Sequence, residues 1–418
     1  MTEPAVLIVG AGLAGLACAR RLREVGISFQ IFEASDGVGG RVRTDTLDGF
    51  RLDRGFQFLL TAYPEAQRML DYAALDLRTF SPGVLIRHLG RFHRIVDPRR
   101  SPLSGLKSIL SPIGSVADKW RLWSLDAKVR AGKVEDQFAR PEGLTLDFLR
   151  WGGRFSDAMI DRFFRPFCAS LFLERDLVTS SRLFRFMFRM FVEGAMTVPA
   201  LGMGAIPAQL AAALPAESIR VNTRVEAAEP SKVILSGGGV LTPNAVVVAT
   251  DGPTAKRLLG DRVLDCGSRS VTCLYFAATV SPLKQPILAL DGDGTGPVNH
   301  LAVMSDVVPA YAPGGQALVS ASVLGGPSED DATLESKVRE QLVSWFGPAV
   351  QKWRHLRTYR IRHAIPDQTA PALDVPERPV KLAPGLFVCG AHRENATING
   401  ALASGFRAAQ VVAEDLSV

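Results

Sequence analysis

Cysteine, histidine and long apolar runs are what this sequence has least of. Its five cysteines, Cys18, Cys168, Cys266, Cys273 and Cys389, are odd in number and form no C-x-x-C pair. That argues against a disulfide framework and for a reducing compartment, with the thiols serving as small buried hydrophobes. The six histidines are scattered, with neither an H-x-x-x-H pair nor a His/Cys cluster, so no metal site is expected. No apolar stretch is long enough to span a bilayer, and no repeat or low-complexity tract is present. Neither an RNA-binding signature nor zinc-finger spacing supports nucleic acid as a partner. The first strand begins within a few residues of Met1, leaving no room for a signal peptide. A cytoplasmic protein is the expectation, with peripheral membrane contact left open.

What is present is the composition of a folded protein: 47% hydrophobic and 22% charged over 418 residues, enough for two lobes or one domain with large insertions. The 48 Lys and Arg exceed the 42 Asp and Glu, giving +6. Spread this thinly, the excess fits a mildly basic enzyme surface and would also suit an anionic cofactor or membrane surface.

The stretch "AVLIVG" at residues 5–10 is a short apolar, β-branched run closed by glycine, the pattern of a fully buried parallel strand. Gly10, Gly12 and Gly15, with Ala11 between the first two, supply a G-x-G-x-x-G fingerprint. Gly10 permits the tight turn, Gly12 lets backbone approach a pyrophosphate, and Gly15 allows close packing of helix on strand. The helix that follows runs to about Gly26, and its N-terminus favours phosphate. A second strand, "SFQIFEAS", ends at Glu33 and Ala34. Glu33 lies 18 residues after Gly15, near the ~20 expected of the acid that accepts from a ribose 2′-OH. A carboxylate there disfavours a 2′-phosphate. "DGVGGRVRT" then sets Gly39, Gly40 and Arg41 just beyond the acid, a second tight turn carrying a guanidinium that can hold a phosphate as a planar fork.

With this second motif the sequence resembles the FAD-dependent amine oxidase superfamily, which includes the monoamine oxidases, protoporphyrinogen oxidases and phytoene desaturase-like enzymes. Its signature, GxGxxG with a later acid and GGR-x-x-[ST], matches at Gly10, Gly12, Gly15, Glu33, Gly39, Gly40, Arg41 and Thr44. The tail "GLFVCGAHRENATINGALASGFRAAQVV" is similar to the family's C-terminal flavin motif, with Gly390 closing a strand and Ile398 and Ala401 opening a helix of small residues against the ring. The resemblance implies an α/β protein: a Rossmann-like FAD-binding domain of the GR2 type (residues 1–60, 196–265 and 380–418) and a discontinuous α+β substrate domain (61–195 and 266–379). FAD is the implied cofactor. By the same resemblance Gly55 and Phe56 contact the ring, Gln57 faces the substrate, Val225 packs on the adenine, and His363 lies on a strand returning over the flavin, where it would act as acid or base. The family usually places an acid directly after the glycine of the C-terminal strand, for the ribityl chain. Here Ala391, His392, Arg393 and Glu394 follow, and His392 or Glu394 is expected to take that part.

Only one complete fingerprint is present, because "LGMGAI" at residues 201–206 lacks a third glycine. No second, nicotinamide-binding domain is therefore expected, and oxygen or a quinone would reoxidise the flavin unless the reaction has no net redox change. "SRLFRFMFRMFVEGAM" places Arg182, Arg185 and Arg189 on one helical face among phenylalanines. Such a segment is either core with arginines reaching water or a face for an anionic membrane or lipophilic substrate. "IRHLGRFHRIVDPRR" (residues 86–100) adds a basic hairpin. The C-terminal motif carries Thr397, Ile398 and Asn399 where amine oxidases of the family usually have an aromatic cage wall, and no equivalent of their water-holding lysine can be placed. A hydrophobic substrate, desaturated or isomerised like an unsaturated isoprenoid or lipid, is preferred to an amine or a porphyrinogen. A non-catalytic flavoprotein is the alternative of another class.

Overall fold

Alternation along each short parallel strand feeds two separate cores. In Val6–Val9, Val6 and Ile8 point into the larger core, while Leu7 and Val9 point into a smaller one on the opposite face. Ala245–Val248 divides in the same way, Ala245 and Val247 against Val246 and Val248. Strands buried on both faces are what an almost uniformly apolar sequence demands. The structure is a computed structural model and describes residues 4–96, 105 and 108–416.

These strands belong to a six-stranded sheet in the order Ile219–Arg220, Phe29–Phe32, Val6–Val9, Ala245–Val248, Leu386–Val388, Lys381–Ala383. All neighbours are parallel except the last pair. Every strand of this sheet comes from the stretches 1–60, 196–265 and 380–418. The helices Leu13–Glu24 and Ile398–Asp415 cover one face, and Gly252–Leu259 packs with Val225, Ala228 and Val233 on the other. Sites in such sheets lie beyond the carboxyl ends of the strands, here the turns at Gly10, Glu33, Thr250 and Gly390.

A second sheet of seven strands runs Arg354–Pro366, Ser268–Ala278, Ala317–Leu324, Val298–Val303, Leu288–Asp291, Val84–His88, Arg91–Ile95. It is antiparallel apart from one pair, Leu288–Asp291 with Val84–His88. Leu274, Phe276, Leu301, Val319 and Val323 face Leu334, Val338 and Trp345 of the helix Asp331–Phe346. The other face turns toward the parallel sheet. The expected basic hairpin is the edge of this sheet, Val84–His88 paired with Arg91–Ile95, and its last residues, 97–100, lie outside those described.

The arginine-rich helix Ser181–Glu193 is interior. Leu183, Phe184, Phe186 and Met190 are almost fully buried. Arg182 donates to the Arg140 carbonyl at 2.6 Å, and Arg189 donates to the Lys133 carbonyl and to Glu193. Arg185 lies over the Phe148 ring. The arginines are held by protein, so this helix offers no free basic face for a membrane. No helix among the described residues is long and apolar enough to cross one.

Asp53, at the end of the strand Phe50–Asp53, ties the ribbon it forms with Thr44–Leu47 to the turn at 201–206 and to the seven-stranded sheet. Its carboxylate accepts from Thr44 Oγ1 (2.6 Å), the Met203 N–H (2.9 Å) and Tyr311 Oη (2.8 Å), and its carbonyl accepts from Tyr275 Oη (2.9 Å). The glycine-rich turn at 201–206 is thus docked on Thr44 and Asp53 and does not form a second nucleotide turn. Burial pushes the Asp53 carboxyl up from 3.8 to about 6 against these hydrogen bonds. Between those values the folded chain binds more protons than the unfolded one, so ionising Asp53 weakens the fold as pH rises. Relative to Asp53→Asn, the wild type should lose about 2 kcal/mol of stability between pH 4 and pH 7. Urea unfolding of both proteins across that range measures it.

Candidate active site

A cavity of about 570 Å³ lies between the carboxyl ends of the parallel strands and the inner face of the seven-stranded sheet. That volume is within the range of small-molecule and cofactor sites. One end is built from glycine. Gly10 has φ +109°, and a Cβ there would lie 2.8 Å from the Ala249 carbonyl oxygen. A Cβ on Gly15 would overlap the Gly10 carbonyl oxygen, so the helix can sit on its strand only without one. A Cβ on Gly12 would meet nothing within 4 Å, because it would point into the cavity. Gly12 is also the N-cap of Leu13–Glu24 and supplies no side-chain acceptor, leaving the first N–H groups of the helix open toward the cavity.

The second turn is pressed against the first. The Gly39 N–H donates to the Ala11 carbonyl at 2.8 Å, and a Cβ on Gly40 would lie 3.4 Å from the Gly12 Cα. Glu33 is fixed by backbone: Oε2 accepts from the Ala11 N–H (2.8 Å), and Oε1 accepts from the N–H and hydroxyl of Ser35 (2.8 Å each). Arg41 lines the cavity with its guanidinium donating to the Ala364 carbonyl at 2.9 Å. Burial lowers its pKa, with Asp251 pulling the other way, and among the described residues no carboxylate forms an ion pair with it. A half-buried cation facing open space beside an uncapped helix N-terminus is what a pyrophosphate would complete.

Gly10, Gly12, Glu33, Ala34, Gly39, Gly40, Arg41, Gly55, Phe56, Gln57, Val225, Gly390, Ile398 and Ala401 all line this one cavity. Ala11 and Gly15 do not, and act through the backbone contacts just described. Gly55 has φ +90°, with a Cβ there only 2.5 Å from Ile361 Cδ1. Gln57 is pinned: its Nε2 donates to the carbonyls of Arg41 (2.8 Å) and Arg54 (3.2 Å), and its Oε1 is buried without a partner. An amide so held positions the loop and offers an acceptor, and it has no proton to exchange near neutral pH.

Two expectations are corrected. His363 does not line the cavity; its Nδ1 is hydrogen-bonded to Ser268 Oγ at 2.6 Å, while Ile361, Ala364 and Ile365 of the same strand do line it. The register slips there, Arg269 pairing with Ile365 but Val271 with Ile361, and the bulge turns His363 away. Neither His392 nor Glu394 reaches the cavity in place of the ribityl acid. Glu394 binds Arg407 at 2.8 Å, its carboxyl pushed up to about 7 by burial against that arginine, and burial pushes His392 down to about 3.

The other end of the cavity is formed by Phe56, Phe58, Leu171, Leu173, Met187 and Ile361, with Tyr63, Ser170, His300 and Ser322 among them. Phe56 stands at 4.9 Å from the His300 ring and 6.0 Å from Phe58, and Tyr63 Oη donates to Met187 Sδ. The sequence reading missed His300 and Ser322. For Ser322 the signal was the serine at every second position of "ALVSASVL", whereas "VNHLAV", with Asn299 and His300 adjacent, carried no such alternation.

A parallel sheet that presents a glycine turn, a carboxylate at the end of its second strand and a half-buried arginine to a cavity closed by a second sheet is the architecture of a flavin-dependent oxidoreductase. The flavin containing amine oxidoreductase family matches residues 13–413, and the chain belongs to that family, whose cofactor is FAD. Among curated proteins it is similar to protoporphyrinogen oxidase 2 of Arabidopsis thaliana, 30% identical over 38% of this chain and 31% of the relative. It is also similar to carotenoid phi-ring synthase of Streptomyces griseus, 29% identical over 46% of this chain and 39% of the relative. The matched stretches thus span less than two fifths of those relatives' own length. An oxidoreductase of solved structure from Methanosarcina mazei shares the fold, with a TM-score of 0.75 at 18% identity over 98% of this chain and 99% of that one.

The glycines separate binding from folding. Gly12 has φ −72°, so Gly12→Val should fold with the melting temperature of the flavin-free wild type yet retain no FAD after purification. Gly15→Val should lose more than about 3 kcal/mol of stability, since only backbone could move to admit it. Arg41→Met should weaken FAD binding by about 10- to 100-fold, the worth of charge-assisted hydrogen bonds. Fluorescence titration of the flavin-free proteins with FAD checks both binding claims.

Proposed function

We propose that the protein acts on a hydrophobic substrate, desaturating or isomerising an unsaturated isoprenoid or lipid-like molecule by way of hydride transfer to the flavin. One observation carries this reading: the cavity end away from the fingerprint is apolar and holds almost no acid–base equipment. The carboxylates that line the cavity, Glu33 and Asp251, sit at the fingerprint end, where Asp251 accepts from the Thr254 N–H at 2.8 Å. No lysine lines the cavity among the described residues. Of the titratable groups at the apolar end, burial pushes His300 down to about 3 and raises Tyr63 beyond working pH. A cationic amine would meet no charge partner there and would bear the full cost of desolvation. A polyene would bury its length against Phe56, Phe58, Leu171, Leu173 and Met187.

Bound FAD supplies an acceptor for a hydride leaving the substrate. The chain's own part is to orient an apolar molecule, and the proton that a desaturation sheds with the hydride would be taken up by solvent. The similarity to a carotenoid phi-ring synthase supports this reading. The similarity to a protoporphyrinogen oxidase keeps a porphyrinogen as the next candidate. Oxygen or a quinone-like compound would serve as electron acceptor where the reaction is a net oxidation.

An anaerobic titration that follows the oxidised-flavin absorbance tests this. Polyenes should bleach or perturb the flavin, while primary and secondary amines should leave it unchanged. Bleaching by an amine would overturn the reading, and bleaching by a porphyrinogen alone would replace the polyene.

A further inference from the structure

The helix Val116–Arg130 is apolar on two sides. Inward, Leu125 and Val129 join the core, and the helix packs on Ser181–Glu193, whose Val192 carbonyl accepts from Arg130. Outward, Val116, Trp120, Trp123 and Ala127 follow one another at helical spacing, which sets them in one row. Val116 and Trp120 are 64% and 67% exposed, Ala127 is exposed and Trp123 half-buried. Single exposed apolar side chains are ordinary, but a row of them marks an interaction surface. Leu110 and Trp151 are exposed as well. Trp151 lies in the helical turn Phe148–Gly152, and Ser156 beyond it donates to Asp118 through its N–H (2.9 Å) and its hydroxyl (2.6 Å), which seats that segment beside the start of the helix.

The charges this helix shows to solvent have one sign. Its two acids are both withdrawn into the protein: Asp118 accepts from Ser115 and Ser156, and Asp126 accepts from Arg130. Lys119 is buried too, its Nζ donating to the carbonyls of Ser111 and Gly114 at 2.8 Å each. Lys128 and Arg130 remain exposed, and Arg121 is half-buried. The outward side thus combines tryptophan and aliphatic groups with cations and presents no carboxylate of its own. That combination suits the boundary between anionic headgroups and acyl chains, where the indole body is buried, its N–H stays wet and each cation finds a phosphate. A protein partner would need about 800 Å² of matching surface on each side. One convex ridge about 16 Å long supplies too little of it.

We propose that the outward side of Val116–Arg130 docks the protein on the surface of an anionic lipid bilayer, with Val116, Trp120 and Trp123 entering the headgroup boundary and Lys128 meeting the phosphates. The helix beneath it, Ser181–Glu193, carries Met187 into the apolar end of the cavity, so docking sets that end one helix layer from the lipid. The proposal goes beyond the hydrophobic-substrate reading and does not depend on it.

Flotation of the FAD-loaded protein with vesicles tests it, comparing phosphatidylcholine alone with an equal mixture of phosphatidylcholine and phosphatidylglycerol. The wild type should bind the mixed vesicles about tenfold more tightly than the neutral ones. The double variant Val116→Ser, Trp120→Ser should bind the mixed vesicles about tenfold more weakly than the wild type, and Lys128→Glu about fivefold more weakly. These side chains are exposed and outside the cavity, so both variants should keep the wild type's flavin content. Should the double variant lose flavin, Lys128→Glu and the lipid comparison decide. A wild type that floats with neither vesicle or equally with both, or variants that float as the wild type does, overturns the proposal. A dimer in sedimentation that the double variant abolishes gives the surface to a second copy of the chain and also overturns it. None of these results touches the substrate reading, which the anaerobic flavin titration tests separately.

Discussion

The site depends on two places where backbone is pressed against backbone with no room for a side chain between. The helix Leu13–Glu24 meets its own strand through Gly15, where a Cβ would overlap the Gly10 carbonyl, and it meets the C-terminal helix through Gly405, where a Cβ would overlap the Ala14 carbonyl. Residues 25–397 separate those two helices, yet their approach brings Ile398 and Ala401 to the same cavity as Gly10 and Gly12. Close packing without side chains leaves the open N–H groups of one helix and the small residues of the other facing a shared space. Shape alone would not choose an anion for that space. Arg41, half-buried and with its guanidinium bonded to the Ala364 carbonyl, does.

The second sheet gives the cavity its other character. Its outer face is a conventional apolar layer beneath the helix Asp331–Phe346. Its inner face carries Cys273, Ser320, Ser322 and His300, small or polar groups where a plain core would have Val or Leu. Asp53 and its two tyrosines hold this sheet against the fingerprint region at the energetic cost of a buried carboxyl. The result is one cavity with a charged, glycine-built end for a dinucleotide and an apolar end with a few neutral polar groups. Charge complementarity at the first end and its lack at the second are what separate cofactor from substrate.

Much of the first end was legible in the sequence because its signals are local. Strand, glycine turn, helix and Glu33 fall within about thirty residues, and each glycine has one steric reason to be there. The C-terminal motif was legible for the same reason. The substrate end was not, because its side chains converge from strands far apart in sequence and face the cavity only by register. His363 shows the difficulty: it lies on the expected strand, but a bulge at Arg269 and Val271 turns it toward Ser268. Glu394 was misjudged because its partner, Arg407, is supplied by the next helix. In Ser181–Glu193 the periodicity of the arginines was read correctly, but it could not distinguish solvent from the carbonyls of Arg140 and Lys133.

The central claim is that the turns at Gly10–Gly15 and Gly39–Arg41 and the start of the helix at Ile398 form one cradle for FAD. Hydrogen–deuterium exchange of the flavin-free protein, before and after adding FAD, tests it most directly. The account predicts that the amides of all three segments become protected together, at the same FAD concentration. Protection confined to the first turn, or reaching the three segments at different concentrations, would contradict it.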